Sequence, residues 1–166
     1  MGVEPTDLEI LHAQLGREAR GVADVAARCG CGNPCVVKTE PRLPDGTPFP
    51  TLYYLTCPKA AAAIGTLEAT GVMAAMQQRL AEDPELAAAY ERAHQAYLSD
   101  RASLGSVPEI EGISAGGMPT RVKCLHVLAG HALAAGPGVN PLGDEVLDLI
   151  GDWWTPSACV DGVGAQ

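Results

Sequence analysis

Apolar residues recur along this chain at two spacings, which predict helices over most of its length and strands near its start. Spacings of three and four are typical of one face of an α-helix. The run Asp83-Pro84-Glu85 predicts a clear helix start, because Asp caps the first turn, Pro fits its first position and Glu suits its dipole. The pattern predicts six helices: Leu8–Leu15, Ala60–Ala69, Val72–Ala81, Asp83 to about Ser103, Thr120–Ala135 and Gly143–Ile150.

Three shorter segments are predicted to be β-strands. Residues 35–39 and 51–56 have the residue types of strands, and the second is the richer in β-branched and aromatic residues. Residues 21–28 have no clean period, so helix and strand compete there, and the turn that follows favours a strand. The turn-forming run 29–34 between the first two predicts a hairpin, and the proline-rich loop 41–50 leads to the third. The predicted fold class is therefore α+β, with a small antiparallel sheet of about three strands packed against several alanine-rich helices.

Length and composition fit one small domain. The chain has 166 residues and is 47% hydrophobic but only 4% aromatic, and alanine, whose small side chain permits close helix packing, fills much of the rest. We expect a single globular domain over residues 1–154 and a flexible C-terminal tail over residues 155–166.

The charge and the hydropathy exclude two classes of function. A net charge of −9 argues against general nucleic-acid binding, which requires neutralisation of phosphates by Lys and Arg. No segment has the roughly 18 apolar residues of a membrane span, and the N-terminus lacks a signal pattern. We therefore expect a cytoplasmic protein, whose six cysteines serve as metal ligands, reactive thiols or buried residues rather than in disulfides.

The cysteines suggest a site at one edge of the sheet. In an up-down-up meander, the first and third strands point the same way, so Cys29 and Cys57 lie at the same edge. Cys124 lies near the start of a predicted helix, where unpaired amides and the helix dipole favour a thiolate. Three thiolates and one imidazole would form a closed zinc site, whereas three cysteines could instead hold an iron–sulfur cluster. Reduced thiols without metal are the simpler alternative.

Two histidines compete to join the cysteines. In a helix over 120–135, Cys124 and His131 share one face, whereas His126 points away from it unless the first turn is distorted. Nearness in sequence favours His126. The predicted metal ligands are therefore Cys29, Cys57 and Cys124 together with His126 or His131.

A catalytic cysteine is the main alternative. Cys124 would be the nucleophile, and His126 or His131 its base. The glycine-rich loop before it would bind an anionic substrate through Gly116, Gly117, Arg121 and Lys123. The loop lacks the Walker A pattern, and an ordinary flexible connector would explain it equally well.

Four motifs stand out along the chain: Arg28-Cys29, PRLPDGTPFPTLYYLTCP over residues 41–58, Val122-Lys123-Cys124-Leu125-His126 and Asn140-Pro141-Leu142-Gly143. They resemble the bacterial domain-of-unknown-function family 501, and the chain looks like an actinobacterial member. The resemblance extends from about Asp7 to Trp153 and implies a site around Cys29, Cys57, Cys124 and His126, but no activity.

Genes of this family often lie near those for a septum-formation initiator and enolase. That association suggests a third hypothesis, an interaction protein linked to cell division, which would bind a protein partner or a second copy through Trp153 and Trp154.

Overall fold

The structure, a computed structural model, describes residues 3–155 and 157–160. Three strands lie near the start of the chain and helices make up most of the rest. The elements in chain order are α1 Pro5–Leu15, β1 Val22–Arg28, β2 Pro34–Thr39, β3 Tyr53–Leu55, α2 Pro58–Glu68, α3 Val72–Glu82, α4 Pro84–Ala102, a short 3-10 helix Pro108–Ile110, α5 Leu125–Ala135 and α6 Pro141–Ile150.

The sheet is the predicted antiparallel meander. Its order is β1-β2-β3, and Val36 of the central strand pairs with Ala27 on one side and Leu55 on the other. The ends of β1 and β3 consequently lie at the same edge of the sheet. The predicted α+β class, with about three strands, is confirmed.

Helix α5 lies at the centre of the molecule, packed against β3 and α6. Leu125, Leu128 and Ala129 on this helix are completely buried. Small residues allow the close packing: a Cβ at Gly130 would lie 3.1 Å from the carbonyl oxygen of Tyr53. A Cβ at Gly143 of α6 would overlap the backbone of α5. Glycine at these two positions therefore allows α5 to pack closely against β3 on one side and α6 on the other.

The predicted start of this helix, at Thr120, is wrong by five residues. The segment before Leu125 is extended, and Cys124 has φ −151° and ψ 110°. The backbone N–H groups of Arg121 and Lys123 donate to the carbonyl oxygens of Gly117 and Gly116, each at 2.8 Å. These bonds hold the segment against the preceding loop, so Cys124 becomes the cap of α5 rather than a residue inside it.

None of the helices within the described ranges has the length and apolar character needed to cross a membrane.

Candidate functional site

The predicted site residues fall into separate places. The structure brings Cys124 and His126 together with Glu68, and the possible ligand atoms of these three side chains lie within 4.8 Å of one another. Cys29 belongs to a second such group, with Cys31 and Cys159. Over residues 3–155 and 157–160, no group at that distance combines Cys29, Cys57 and Cys124.

The first group, Glu68–Cys124–His126, forms where the end of α2 meets the start of α5. Glu68 is the last residue of α2, Cys124 caps α5, and His126 is the second residue of that helix. Because Cys124 lies outside the helix, the helical spacing that directs His126 away from it does not apply. The Sγ of Cys124 lies 4.0 Å from the Nδ1 of His126. The side chains of His126 and Glu68 retain 31% and 25% exposure, so solvent reaches the group.

The hydrogen bonds of His126 define which ring nitrogen is available. Its Nε2 lies 3.0 Å from the carbonyl oxygen of Ala61, which can only accept, so Nε2 carries a proton. In the neutral ring, Nδ1 therefore presents a lone pair. That nitrogen lies 3.3 Å from an oxygen of Glu68, and the same oxygen accepts the N–H of Leu125 at 2.8 Å. In the neutral ring this nitrogen can bind a metal ion, whereas in the protonated ring it donates to Glu68.

The spacing of the donor atoms is close to that around a tetrahedral metal ion but wider on the sulfur side. For zinc, bond lengths of about 2.3 Å to sulfur and about 2.0–2.2 Å to nitrogen and oxygen imply about 3.5 Å between sulfur and nitrogen and about 3.4 Å between nitrogen and oxygen. The corresponding distances here are 4.0 Å from Cys124 to His126 and 3.3 Å from His126 to Glu68. A small inward movement of Cys124 would complete the arrangement.

A cleft opens beside this group. It has a volume of about 280 Å³, and its lining includes Cys124 and His126 together with Tyr54, Leu55 and Val127. The rest of its lining is thus largely apolar. A molecule bound in the cleft would contact the thiol and the imidazole directly.

His131 lies elsewhere, in the core. It is completely buried, its ring stacks on Tyr53 at 5.7 Å, and it meets Tyr97 edge-on at 5.0 Å. The amide nitrogen of Asn140 lies 3.1 Å from its Nδ1. Burial lowers the pKa of His131 to about 4, so the ring is neutral at neutral pH. The shared face that favoured His131 as a ligand depended on Cys124 being helical, which it is not.

The remaining cysteines gather around the turn between β1 and β2. Cys29 and Cys31 are joined by a disulfide, so the expectation that no cysteine is oxidised is wrong for this pair. Cys159 Sγ lies 3.9 Å from Cys31 Sγ.

Cys35 and Cys57 form a separate pair, and both are completely buried. A hydrogen bond from the Cys35 thiol is the largest effect on Cys57 and lowers its pKa. The same contact raises the pKa of Cys35.

The glycine-rich loop has a clear structural role. Gly116 and Gly117 have φ of 68° and 96°, in the left-handed region that favours glycine, and side chains there would press on Val127 and on the backbone of Arg121. Arg121 and Lys123 are exposed. Anion binding by these four residues stays a prediction.

Two members of these groups were missed by sequence reasoning. Glu68 lies far from Cys124 in the sequence, and only the meeting of α2 with α5 brings it to the site. Cys159 was assigned to a flexible tail, yet two side-chain amides contact its sulfur: Gln14 at 3.4 Å and Asn33 at 3.6 Å. The residues next to Glu68 and Cys159 in the sequence form no local pattern that would predict these contacts.

Comparison with known proteins places most of the chain in one family. Residues 25–148 match the family model described as "Protein of unknown function (DUF501)". No curated protein and no solved structure matches the chain. The matched segment contains Glu68, Cys124 and His126 and ends before Cys159.

Proposed function

The chain belongs to the DUF501 family, and we propose that it is a zinc-binding protein whose metal is held by Glu68, Cys124 and His126. One observation carries the proposal. The Nδ1 of His126 lies 3.3 Å from a carboxylate oxygen of Glu68, with a thiol 4.0 Å away. A metal ion between these three atoms would bind all of them and would take the place of a proton shared by the imidazole and the carboxylate.

The bond from His126 to Ala61 supports this assignment. Histidines that bind metals commonly donate their other ring N–H to a carbonyl or carboxylate, which fixes the tautomer and the orientation of the ring. Here Nε2 donates to the Ala61 carbonyl at 3.0 Å, and Nδ1 is directed at the site. The ring is therefore oriented before any metal arrives.

The same geometry argues against a Cys–His–acid catalytic relay. In such a relay one ring nitrogen contacts the nucleophile and the other contacts the acid. In this chain Cys124 and Glu68 both face Nδ1 of His126, and a backbone carbonyl occupies Nε2. The acid is not placed to orient the histidine toward the thiol.

The donor set favours zinc over an iron–sulfur cluster. Zinc binds sulfur, nitrogen and oxygen ligands alike, whereas iron–sulfur clusters are held mainly by thiolates. The group with more sulfur atoms has Cys29 and Cys31 bonded to each other, which leaves Cys159 as its free thiol.

The three ligands Glu68, Cys124 and His126 leave a fourth position on the zinc ion for water or a bound molecule, as in catalytic zinc sites. That position would face the cleft lined by Tyr54 and Leu55.

Metal analysis with matched variants tests the proposal. We expect about one equivalent of zinc in the purified protein, and a thiolate-to-metal absorption band when cobalt(II) replaces it. Cys124→Ser should abolish the band, and His126→Gln should weaken cobalt binding at least tenfold. Cys159→Ser removes a thiol from the other group and should leave the band unchanged.

Two results would contradict the assignment. The first is a folded protein that takes up neither zinc nor cobalt. The second is a cobalt band that survives in Cys124→Ser but disappears in Cys159→Ser. Rapid alkylation of Cys124 that is unaffected by added zinc would favour the thiol-enzyme hypothesis instead.

A further inference from the structure

The turn between β1 and β2 carries a disulfide with a free thiol against it. We propose that Cys29, Cys31 and Cys159 form a thiol–disulfide exchange site, in which Cys159 attacks the sulfur of Cys31. All three sulfur atoms lie within 4.8 Å of one another, and Cys159 Sγ is 3.9 Å from Cys31 Sγ. The site is separate from the proposed zinc ligands and uses none of them.

Polar groups hold Cys159 in this position. Its sulfur accepts from the side-chain amides of Gln14 at 3.4 Å and Asn33 at 3.6 Å. Asn33 also donates to the carbonyl oxygen of Val160 at 3.0 Å, and Lys59 donates to Ser157. The described part of the C-terminal segment, residues 157–160, is thereby attached to the turn and to the start of α2. Two amide donors at one sulfur also provide hydrogen bonds for the thiolate, which is the attacking form.

The exchange step balances within the chain. The thiolate of Cys159 attacks Cys31 Sγ, a bond forms between these two sulfur atoms, and the bond from Cys31 to Cys29 breaks. Cys29 leaves with the electron pair and takes up a proton from water. No net oxidation occurs: one disulfide and one thiol become another disulfide and another thiol.

The site is accessible to a second redox partner. A cleft of about 420 Å³ lies beside the turn, and its lining includes Arg28, Cys29, Trp153 and Trp154. A dithiol reductant that attacks the disulfide returns all three cysteines to thiols, and it leaves as a disulfide itself. A disulfide oxidant such as glutathione disulfide reverses this change. The cleft gives either partner a path to Cys29.

The exchange would change how the C-terminal segment is held. With Cys29 bonded to Cys31, the disulfide lies within the turn, and no disulfide links the described segment 157–160 to the sheet. With Cys31 bonded to Cys159, the segment is linked covalently to the sheet. Trp154 would report the difference, because its indole lies against Gly30 between the two cysteines of the turn.

Peptide mapping can test the exchange. Digestion before aspartate residues yields the fragments 24–44, with three cysteines, and 152–160, with Cys159 alone. In the variant Cys29→Ser/Cys35→Ser, Cys31 is the only cysteine of the first fragment. Treatment with glutathione disulfide should first form a mixed disulfide at Cys31, with release of glutathione. Attack by Cys159 should then release a second glutathione and link the two fragments.

Controls separate this reaction from unspecific oxidation and from the metal site. Adding Cys159→Ser should stop the reaction at the glutathione adduct, whereas adding Cys124→Ser should leave the linked fragments unchanged. Wild-type protein, alkylated in acid after incubation at pH 8, should contain the same linked pair. Circular dichroism establishes that each variant is folded. Two findings together would overturn the proposal. In the folded variant the Cys31 adduct would persist, and the linked pair would form neither in that variant nor in the wild type.

Discussion

The burial of His131 predicts that the folded protein loses stability as the pH falls below neutrality. In the unfolded chain this histidine has its usual pKa of about 6.5, whereas burial lowers its pKa to about 4 in the folded protein. Between these values the unfolded chain binds a proton that the folded chain does not. Acid therefore stabilises the unfolded state, and the free energy of unfolding falls as the pH drops from about 6.5 toward 4.

The size of the effect follows from the two pKa values. At pH 5, protonation of this histidine in the unfolded chain lowers the free energy of unfolding by about 2 kcal/mol. The limiting loss, below both pKa values, is about 3 kcal/mol, since each unit of pKa difference corresponds to about 1.4 kcal/mol. The side chain is completely buried, so solvent does not screen this penalty. A loss of this size is a large part of the total stability of a small domain.

Urea unfolding at pH 7.5 and pH 5, with a chelator present to exclude metal effects, measures this loss. The informative comparison is the change in the free energy of unfolding between the two pH values, measured in wild type and in His131→Asn. The side-chain oxygen of this variant can still accept from Asn140. We expect the variant to be less stable at pH 7.5 but to lose about 2 kcal/mol less than wild type on acidification. His12→Gln is the matched control, because His12 is exposed and should leave the pH dependence unchanged. Equal acid losses in wild type and His131→Asn would refute the reasoning.

Two further predictions concern packing and capping, and both are measured as shifts in the urea midpoint. Gly143→Ala should destabilise the protein by roughly 1–3 kcal/mol because its Cβ would overlap the backbone of α5, whereas Gly65→Ala, with open space around it, should be neutral or stabilising by up to ~1 kcal/mol. Equal effects of the two substitutions would contradict the close contact. Asp83→Ala should cost about 1 kcal/mol, since the Asp83 side chain accepts from the N–H groups of Glu85 and Leu86 at 3.0 and 3.1 Å, and Asp83→Asn should retain most of the cap.

The fold was predictable to the extent that it depends on local chemistry. The cap at Asp83 is a signal carried by neighbouring residues, and it is confirmed. The three strands likewise follow from β-branched residues separated by turns. The start of α5 was mispredicted because the N–H groups of Arg121 and Lys123 bond to the glycine loop, a competition that helical spacing does not reveal.

The candidate sites were only partly predictable for the same reason. The meander correctly places the ends of β1 and β3 at one edge of the sheet. The partners that complete each group come from distant elements: Glu68 from the end of α2 and Cys159 from the C-terminal segment. His131 shows the opposite case, since a histidine that helical spacing suggests as a ligand is instead a neutral core residue.

X-ray absorption at the zinc edge would identify the metal ligands. We expect one sulfur scatterer at about 2.3 Å, from Cys124, and nitrogen and oxygen scatterers at about 2.0–2.2 Å from His126, Glu68 and the fourth position. In Cys124→Ser the sulfur contribution should disappear, while in Cys159→Ser it should remain. A first shell of three or four sulfur atoms, or one unchanged by Cys124→Ser, would rule out this set of ligands.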